Sequence, residues 1–305
     1  MSTIGHLPRE SERPARLDVG VVGAGRVGAV LGAALHQAGH RVVAVSGVSD
    51  ASRERARALL PGIPVRPVED VVDRAELLLL TVPDDALPTL VAGLTATGAW
   101  RAGQLVVHTS GRYGTAVLAP ALPSHVLTLA LHPVMTFTGT AMDLSRLVDC
   151  CFGVTAPEPL RAVAEALVVE MGAEPVWVDE RSRARYHAGL AHGANHLVTL
   201  VAQVLQILGS AGVEEPRRLV GPLLGAALDN ALRLGDAALT GPVARGDAGT
   251  VGAHLRELSD ETPDVLPTYL ALARATAERA LASGRLRADA AEALLDILAE
   301  PDGPR

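Results

Sequence analysis

A glycine-rich turn near the start of the chain constrains the fold more than any other feature. The run Leu17–Gly28 reads as a short apolar strand leading into Gly-x-Gly-x-x-Gly, and the helical pattern Ala29–Ala38 follows. A strand, a tight glycine turn and a helix in this order form the dinucleotide-binding fingerprint of Rossmann domains. We expect Gly23 to allow the sharp turn, Gly25 to let the backbone approach a pyrophosphate, and Gly28 to let the helix pack on the strand. The helix N-terminus would offer its unpaired N–H groups to the phosphates. The predicted cofactor-binding residues of the turn are Gly23, Ala24, Gly25, Arg26, Val27 and Gly28.

Composition narrows the class of protein further. The chain has 305 residues, enough for two domains, and 49% of them are hydrophobic but only 2% aromatic, which predicts a core of alanine, valine and leucine. The formal net charge of −7 and the lack of a basic run argue against a nucleic-acid partner. Residues 1–15 are polar and lack the apolar segment of a signal peptide, so they are predicted to be a disordered tail of a cytoplasmic protein.

Apolar runs alternate with helical patterns as far as residue 180, and this alternation predicts a parallel sheet with right-handed crossovers. Within it, Val65–Arg66 is predicted as a short strand and Thr115–Ala121 as a helix. From Glu180 onward only helical periodicity is visible. The prediction is an α/β, Rossmann-type parallel-sheet domain over residues 16–180, followed by an all-α domain over residues 181–300. The apolar run 189–209 contains five polar His, Asn and Gln side chains, which favours a helix buried between domains or subunits over a membrane span.

The end of the second predicted strand indicates which dinucleotide binds. NAD-binding domains carry an acidic residue at this point for the ribose hydroxyls, and here the position falls on Ser46 or Gly47. Hydroxyl groups with Arg53 or Arg55 suit a 2′-phosphate better, so we expect NADP(H). Asp50 is the counter-argument, although it could instead cap the following helix. The nicotinamide side should be lined by residues that follow later strands. The remaining predicted cofactor-binding residues are Ser46, Ser49, Arg53, Val82, Pro83, Asp84 and Ser110.

The basic residues of this chain restrict its proton chemistry, because all 27 are arginine and none is lysine. Histidine is the natural substitute, since its ordinary pKa lies near neutrality. On a helix, His187 and Asn195 would share one face, either in an active site or as a hydrogen-bonded core pair. His132 directly follows a buried strand, where α/β folds place chemistry. The predicted catalytic residues are therefore His187, Asn195 and His132.

A pair of histidines and a pair of cysteines each allow a structural and a functional interpretation. His192 and His196 have the spacing of a metal-binding pair, but no third ligand is evident, so no metal site is predicted. Cys150 and Cys151 are adjacent and cannot easily form a disulfide, which predicts reduced core thiols.

The segment 240–250 leads from a turn into a helix and contains an arginine beside a natural N-cap aspartate. Such an arginine can hold a carboxylate or phosphate, or it can pair with the aspartate in a surface turn. The predicted substrate-binding residues are Ser110, Thr240, Arg245 and Asp247.

These residues resemble a family of Rossmann-like proteins with a helical C-terminal domain of uncharacterised function. The resemblance spans nearly the whole chain after the tail. Its segments are Gly23–Gly28, Thr81–Asp84, Ser110–Gly111, His132–Pro133, Tyr186–His187 with Asn195, and Thr240–Asp247. The family is similar in architecture to pyrroline-5-carboxylate reductases and β-hydroxyacid dehydrogenases, and some members are implicated as alternative ketopantoate reductases. The usual ketopantoate reductase employs a lysine, which this chain lacks.

The resulting expectation is an NADP(H)-dependent oxidoreductase that reduces a small carboxylate-bearing keto substrate such as ketopantoate. Two alternatives stay open: reduction of a cyclic imine, as in pyrroline-5-carboxylate reductases, or a non-catalytic NADP-binding sensor or scaffold. The resemblance also implies a homodimer whose cleft borrows residues from the second subunit.

Overall fold

The computed structural model describes residues 16–299, and the predicted tail over residues 1–15 lies outside the described residues. The chain divides into two compact units between residues 191 and 192, which we call the first unit and the second unit. The predicted domain limits, 16–180 and 181–300, stay a prediction beside this division.

Seven strands lie in the first unit. They are β1 (Asp18–Val22), β2 (Arg41–Ser46), β3 (Leu77–Leu80), β4 (Leu105–His108), β5 (Leu127–Pro133), β6 (Cys151–Thr155) and β7 (Glu174–Trp177).

The α-helices begin in the first unit and, from within α7 onward, make up the second. They are α1 (Arg26–Gln37), α2 (Asp50–Leu59), α3 (Val68–Arg74), α4 (Leu87–Ala96), α5 (Met142–Leu147), α6 (Arg161–Glu170), α7 (Arg183–Ser210), α8 (Pro216–Leu234), α9 (Gly241–Arg245), α10 (Ala248–Glu261), α11 (Leu266–Ala282) and α12 (Ala288–Leu298). Short 3₁₀ helices occupy Thr115–Ser124, Glu158–Leu160, Glu180–Ser182 and Gly235–Ala238.

The strands form one sheet in the order β2-β1-β3-β4-β5-β6-β7. Neighbouring strands are parallel except β5 and β6, which are antiparallel. The sheet confirms the Rossmann-type α/β class and corrects the expectation that all strands run parallel. The physical reason lies in the connection after β5, whose one α-helix, α5, has six residues. A parallel crossover needs a longer covering element, usually a full helix, to return the chain across the sheet.

Proline residues explain why one predicted strand and one predicted α-helix differ in the structure. The predicted strand at Val65–Arg66 is a single bridge from Val65 to Val45 of β2, and the predicted helix Thr115–Ala121 is a 3₁₀ helix over Thr115–Ser124. Proline has no N–H to donate, so it interrupts both a strand ladder and an α-helix. The prolines concerned are Pro64, Pro67, Pro120 and Pro123.

Aliphatic side chains cover both faces of the sheet, as the composition predicts. The four consecutive leucines of β3 show how: Leu77 and Leu79 join the cluster on one face, whereas Leu78 and Leu80 join the cluster on the other. This alternation is the two-residue period of a strand buried on both sides. Cys150 is buried and its neighbour Cys151 half-buried, both as free thiols, and burial raises the pKa of the Cys150 thiol to about 11.

The second unit has its own core, built from alanine, valine and leucine side chains of α9–α12 and the turn before α12. Helix α8 contributes little to it, since Val220 is its one buried residue. Over residues 16–299 no helix is both long and apolar enough to cross a membrane. The exposed leucines of α8 are Leu219, Leu223, Leu228, Leu232 and Leu234.

Candidate active site

The glycine turn between β1 and α1 has the geometry that the sequence predicts. Gly23 has a φ of +97°, a left-handed conformation that side chains rarely adopt, and its N–H donates to the Ser46 hydroxyl at 3.1 Å. A Cβ on Gly28 would collide with the Thr81 hydroxyl and the Gly23 carbonyl, so α1 reaches the sheet only because residue 28 is glycine.

Gly25 differs, because a Cβ there would meet nothing closer than the Gly23 carbonyl at 3.9 Å. The protein itself would tolerate a side chain at residue 25, so the open space is available to a ligand. Gly25 is also the N-cap of α1 and cannot satisfy its first-turn N–H groups with a side chain. These groups suit a pyrophosphate.

The end of β2 corrects one detail of the sequence interpretation. Ser49, not Asp50, caps α2, because the Ser49 hydroxyl accepts the Ser52 N–H at 3.1 Å. Asp50 instead accepts from the Arg53 guanidinium at 2.6 Å. Arg53 also donates to the carbonyls of Gly47 at 3.1 Å and Val48 at 2.7 Å. Arg53 therefore holds the loop that follows β2 in place.

Two other arginines meet near this loop. Gly139, in the segment after β5, packs against the side chains of Arg26 and Arg55, whose nearest atoms would lie 3.0 Å and 2.8 Å from a Cβ there. Neither guanidinium has a carboxylate within 4.0 Å among the described residues. Both are thus available to an anion beside the glycine turn.

The ends of β3 and β4 lie next to the turn. The Thr81 hydroxyl donates to the Gly23 carbonyl at 2.6 Å, and Val82 would contact a Cβ on Gly23 at 3.3 Å. The predicted residues Pro83 and Asp84 follow directly along the chain. Ser110, buried after β4, accepts the Tyr113 N–H on its hydroxyl at 3.2 Å. Residues at the carboxyl ends of neighbouring strands thus meet at one edge of the sheet, where open α/β folds bind ligands.

A cluster of three rings occupies this edge beyond β4. The His132 Nδ1 lies 2.8 Å from the Tyr186 hydroxyl, and the rings of His132 and His187 meet edge to face with centroids 5.8 Å apart. Two glycines make room for them. A Cβ on Gly111 would approach His187 to 2.6 Å and the His132 Nε2 to 2.8 Å, and a Cβ on Gly153 would collide with the Tyr186 hydroxyl.

Arg183, at the start of α7, lies beneath the cluster with 1% of its surface exposed. Its Nε donates to the Thr155 hydroxyl at 2.8 Å, and one Nη donates to the carbonyls of Ala130 and Gly153, each at 3.0 Å. No carboxylate lies within salt-bridge distance of it in the described part of the chain. A buried guanidinium solvated by backbone carbonyls ties α7 to β5 and β6 and places a fixed positive charge beside the rings.

Burial and this charge control protonation in the cluster. Burial lowers the pKa of His132 to about 4, and the charges of His187, Arg183 and His108 contribute to the shift. Burial likewise lowers the pKa of His108 to about 4. Burial raises the pKa of Tyr186 above its ordinary value, although the charge of Arg183 opposes the rise. At neutral pH, His132 is an uncharged imidazole and Tyr186 keeps its proton.

The first unit thus brings together the predicted residues His132, His187 and Ser110 with the glycine turn. Asn195, Thr240, Arg245 and Asp247 belong to the second unit. There Asn195 is exposed, and Arg245 donates to Asp247 at 3.1 Å, which is the surface pairing that the sequence left open. Asp247 occupies the N-cap position of α10 without accepting a hydrogen bond there. The catalytic and substrate-binding roles of these four residues stay predictions.

The two histidines with the spacing of a metal-binding pair are also in the second unit. His192 and His196 have their Nδ1 atoms 3.0 Å apart on the exposed surface of α7. In the described residues no group of three or more His, Cys, Asp or Glu is placed to hold a metal ion.

Sequence reasoning missed two members of the site. Neither Tyr186 nor Arg183 is among the predicted site residues, although Tyr186 belongs to a segment that resembles the family. A signal existed for Tyr186, because it precedes a candidate histidine in a chain with three tyrosines. No local signal marks Arg183, since its acceptors lie 28 to 73 residues away in the sequence.

Two family matches cover most of the chain. Residues 6–133 match the Rossmann-like domain family, and residues 150–276 match a domain of unknown function, DUF2520. The two matches together confirm the resemblance to Rossmann-like proteins with a helical C-terminal domain of uncharacterised function. No curated protein sequence matches the chain.

Solved structures share the fold at low identity. Protein BF3122 from Bacteroides fragilis, a proposed NADP oxidoreductase, is 22% identical with a TM-score of 0.73, over 86% of this chain and 98% of that chain. The imine reductase from Myxococcus stipitatus in complex with NADP+ is 19% identical with a TM-score of 0.61, over 86% and 94%. A pyrroline-5-carboxylate reductase from Coxiella burnetii is 14% identical with a TM-score of 0.53, over 90% and 100%. At these identities the likeness concerns the fold.

Proposed function

We propose that this chain is an NADP(H)-dependent reductase of a small carboxylate-bearing substrate with a C=O group, such as ketopantoate. The observation that carries the proposal is that one edge of one sheet holds both a dinucleotide turn open at Gly25 and a ring cluster of His132, Tyr186 and His187. Reduction needs a hydride source and a proton source together. The bound nicotinamide supplies the hydride, and the rings are placed to supply the proton.

The arginines near the turn favour the phosphorylated dinucleotide. No acidic residue stands at the end of β2, where the Ser46 hydroxyl accepts the N–H of Gly23 in the turn. The sequence predicts Arg53 or Arg55 as the 2′-phosphate ligand, and Arg53 is already bound to two carbonyls and Asp50. We assign the phosphate-binding role to the unpaired Arg26 and Arg55 beside it, with Ser46 and Ser49 as neutral neighbours.

As the sequence predicts, Arg245 is assigned to hold the substrate carboxylate. Thr240, Asp247 and Ser110 keep their predicted substrate-binding roles, and Asn195 keeps its predicted role in orienting the carbonyl. Arg245 is more than half exposed and its pairing with Asp247 is a surface ion pair, which is weak and easily exchanged for a substrate anion. A cytoplasmic location also stays a prediction from the sequence.

Reduction of a cyclic imine is the second candidate. The fold is shared with an imine reductase and a pyrroline-5-carboxylate reductase, and this likeness favours a cyclic imine as the substrate. Either reaction needs the same proton source. The substrate, not the ring cluster, distinguishes them.

A homodimer fits the surface of the second unit. Five leucines of α8 are exposed in the single chain, an unusual concentration of apolar surface for one helix. Pairing of α8 with the same helix of a second copy would bury the leucines of one side, such as Leu228 and Leu232, in an isologous interface.

The deciding experiment mixes the protein with NADPH and a panel of 2-keto acids, including ketopantoate, and cyclic imines, and follows nicotinamide absorbance. We expect oxidation with a carboxylate-bearing keto acid; oxidation with imines alone would support the second candidate. Tight NADPH binding without turnover would support a non-catalytic sensor instead. The variant Gly25→Ala should retain the melting temperature yet weaken NADPH binding at least about tenfold, because its methyl group enters the phosphate space.

A further inference from the structure

We infer that the Tyr186 hydroxyl is the group that delivers the proton to the substrate, and that His132 returns a proton to it from the solvent side. This inference rests on the proposed reductase function. It differs from the sequence-based expectation, in which His187 or His132 donates directly.

The first step of the argument is the contact itself. The Tyr186 oxygen lies 2.8 Å from the His132 Nδ1, a normal distance for a hydrogen bond between a hydroxyl and a ring nitrogen. The His187 ring approaches His132 only edge to face, with 5.8 Å between centroids, and no described residue is hydrogen-bonded to it. Of the three rings, only Tyr186 and His132 form a connected pair that can pass a proton onward.

The second step concerns charge. His132 lies beside Arg183 and is largely buried, so it stays neutral at working pH and is a poor direct acid. The tyrosine hydroxyl remains protonated in the same environment. When it gives up that proton, the nearby guanidinium of Arg183, 5.7 Å from the ring centre, stabilises the phenolate that results. Arg183 thus acts as a positioning residue and as a fixed countercharge.

The proton balance is closed by the imidazole. The substrate carbonyl carbon receives the hydride and its oxygen receives the Tyr186 proton, which leaves a phenolate. As His132 takes up one proton from the solvent at Nε2, the hydrogen on its Nδ1 passes to the phenolate, so the imidazole stays neutral and each turnover consumes one solvent proton. The Nε2 faces Gly111, where only a hydrogen atom occupies the side-chain position and the ring is not covered by a Cβ. The pair returns to its starting composition with the tautomer inverted, and a water-mediated proton exchange resets it.

The chain contains its own control. Tyr269 in the second unit lies 2.9 Å from the Nδ1 of His254, and their rings also meet edge to face, with centroids 6.0 Å apart. The contact is the same, but His254 is exposed and no buried arginine accompanies it. Tyr269→Phe removes one hydroxyl and one tyrosine–histidine hydrogen bond, as Tyr186→Phe does.

The test measures turnover and NADPH affinity for both variants, together with the ¹⁵N spectrum of His132 in the wild-type protein. We expect Tyr186→Phe to lower kcat by about a hundredfold or more at unchanged NADPH affinity, and Tyr269→Phe to change neither. We expect His132 to carry its hydrogen on Nδ1, which leaves the Tyr186 proton free for the substrate.

Three results would overturn the inference. Retained kcat in Tyr186→Phe, or a hydrogen on Nε2 of His132, would overturn the role of Tyr186 alone. Wild-type protein that binds NADPH but oxidises it with no compound of the panel would overturn the proposed function as well. If Tyr186→Phe misfolds, His132→Gln tests the same pair, and it should lower kcat with little change in KM.

Discussion

In the first unit Tyr186 lies 2.8 Å from the Nδ1 of His132, and in the second unit Tyr269 lies 2.9 Å from the Nδ1 of His254. The first pair is next to a buried arginine, two close glycines and the strand ends that hold a dinucleotide turn. The second pair lies on helices α10 and α11, with its histidine exposed. The surroundings of the two contacts differ: burial raises the pKa of both tyrosines, but a buried arginine charge and a largely buried histidine accompany Tyr186 and not Tyr269.

The same contrast extends to the two units as a whole. The first unit buries charged or titratable residues such as His108, Asp143 and Arg183, whereas no charged residue in the described part of the second unit is fully buried. The following variants compare the two environments, in order of their expected effect on the free energy of unfolding.

The largest difference should appear on acidification. His108 is buried and neutral: its Nε2 donates to the Gly114 carbonyl at 2.8 Å, and its Nδ1 accepts the Ser110 N–H at 3.2 Å. Its folded pKa of about 4 lies below the ordinary value of 6.5, so the unfolded chain binds more protons between these values. Stability is therefore full above about pH 6.5 and falls as the pH drops towards 4, by about 3 kcal/mol for this one residue.

Urea unfolding at a series of pH values measures this effect. His108→Gln should remove about half of the dependence between pH 6.5 and 4, because burial lowers the pKa of His132 to about 4 as well, whereas His254→Gln should leave the wild-type slope. A slope that persists unchanged in His108→Gln would show that other groups control acid stability.

Removal of a buried charge should have the next largest effect. Arg183→Met leaves the Thr155 hydroxyl and three carbonyls without their charged donor, and we expect a loss of about 3 kcal/mol in the free energy of unfolding. The matched variant Arg233→Met breaks an exposed pair with Asp229 and should cost no more than about 0.5 kcal/mol. Equal losses in the two variants, measured by denaturant unfolding, would contradict the contrast between the units.

Glycine-to-alanine changes should have opposite signs in the two units. Gly28→Ala drives a methyl group into the Thr81 hydroxyl and the Gly23 carbonyl, at a cost of about 1–3 kcal/mol. Gly252→Ala in α10 meets only the end of Arg256, at 3.8 Å, and should stabilise the protein by about 0.5–1 kcal/mol through helix propensity. Thermal unfolding of both variants gives the signs, and a stabilising Gly28→Ala would refute the close packing of α1.

The smallest effect on the fold itself should come from α8. Leu232 is 80% exposed, so Leu232→Glu should change the stability of the single chain by less than about 0.5 kcal/mol. In sedimentation experiments, however, it should convert the proposed dimer to a monomer. Val169→Glu, at an exposed site of α6 in the first unit, should leave the dimer intact. A wild-type protein that sediments as a monomer would remove the dimer from the proposal.

Much of the first unit could be predicted from the sequence because its signals are local. The glycine turn, the run of leucines in β3 and the helices α3 and α4 need only neighbouring residues to specify them. The antiparallel β6 and the 3₁₀ helix at Thr115–Ser124 were not predicted. In both, the outcome depends on what a connection can span or on where proline removes a donor.

The sequence by itself determined the order of strand, glycine turn and helix, the aliphatic core and the absence of lysine from any proton-transfer step. The tertiary structure decided which side chains meet. Tyr186 reaches His132 across 54 positions of the chain, and Arg183 reaches the Ser110 carbonyl across 73. Such contacts form when the start of α7 packs on the ends of β5 and β6. No local sequence pattern predicts them, because the sheet must form before these residues come close together.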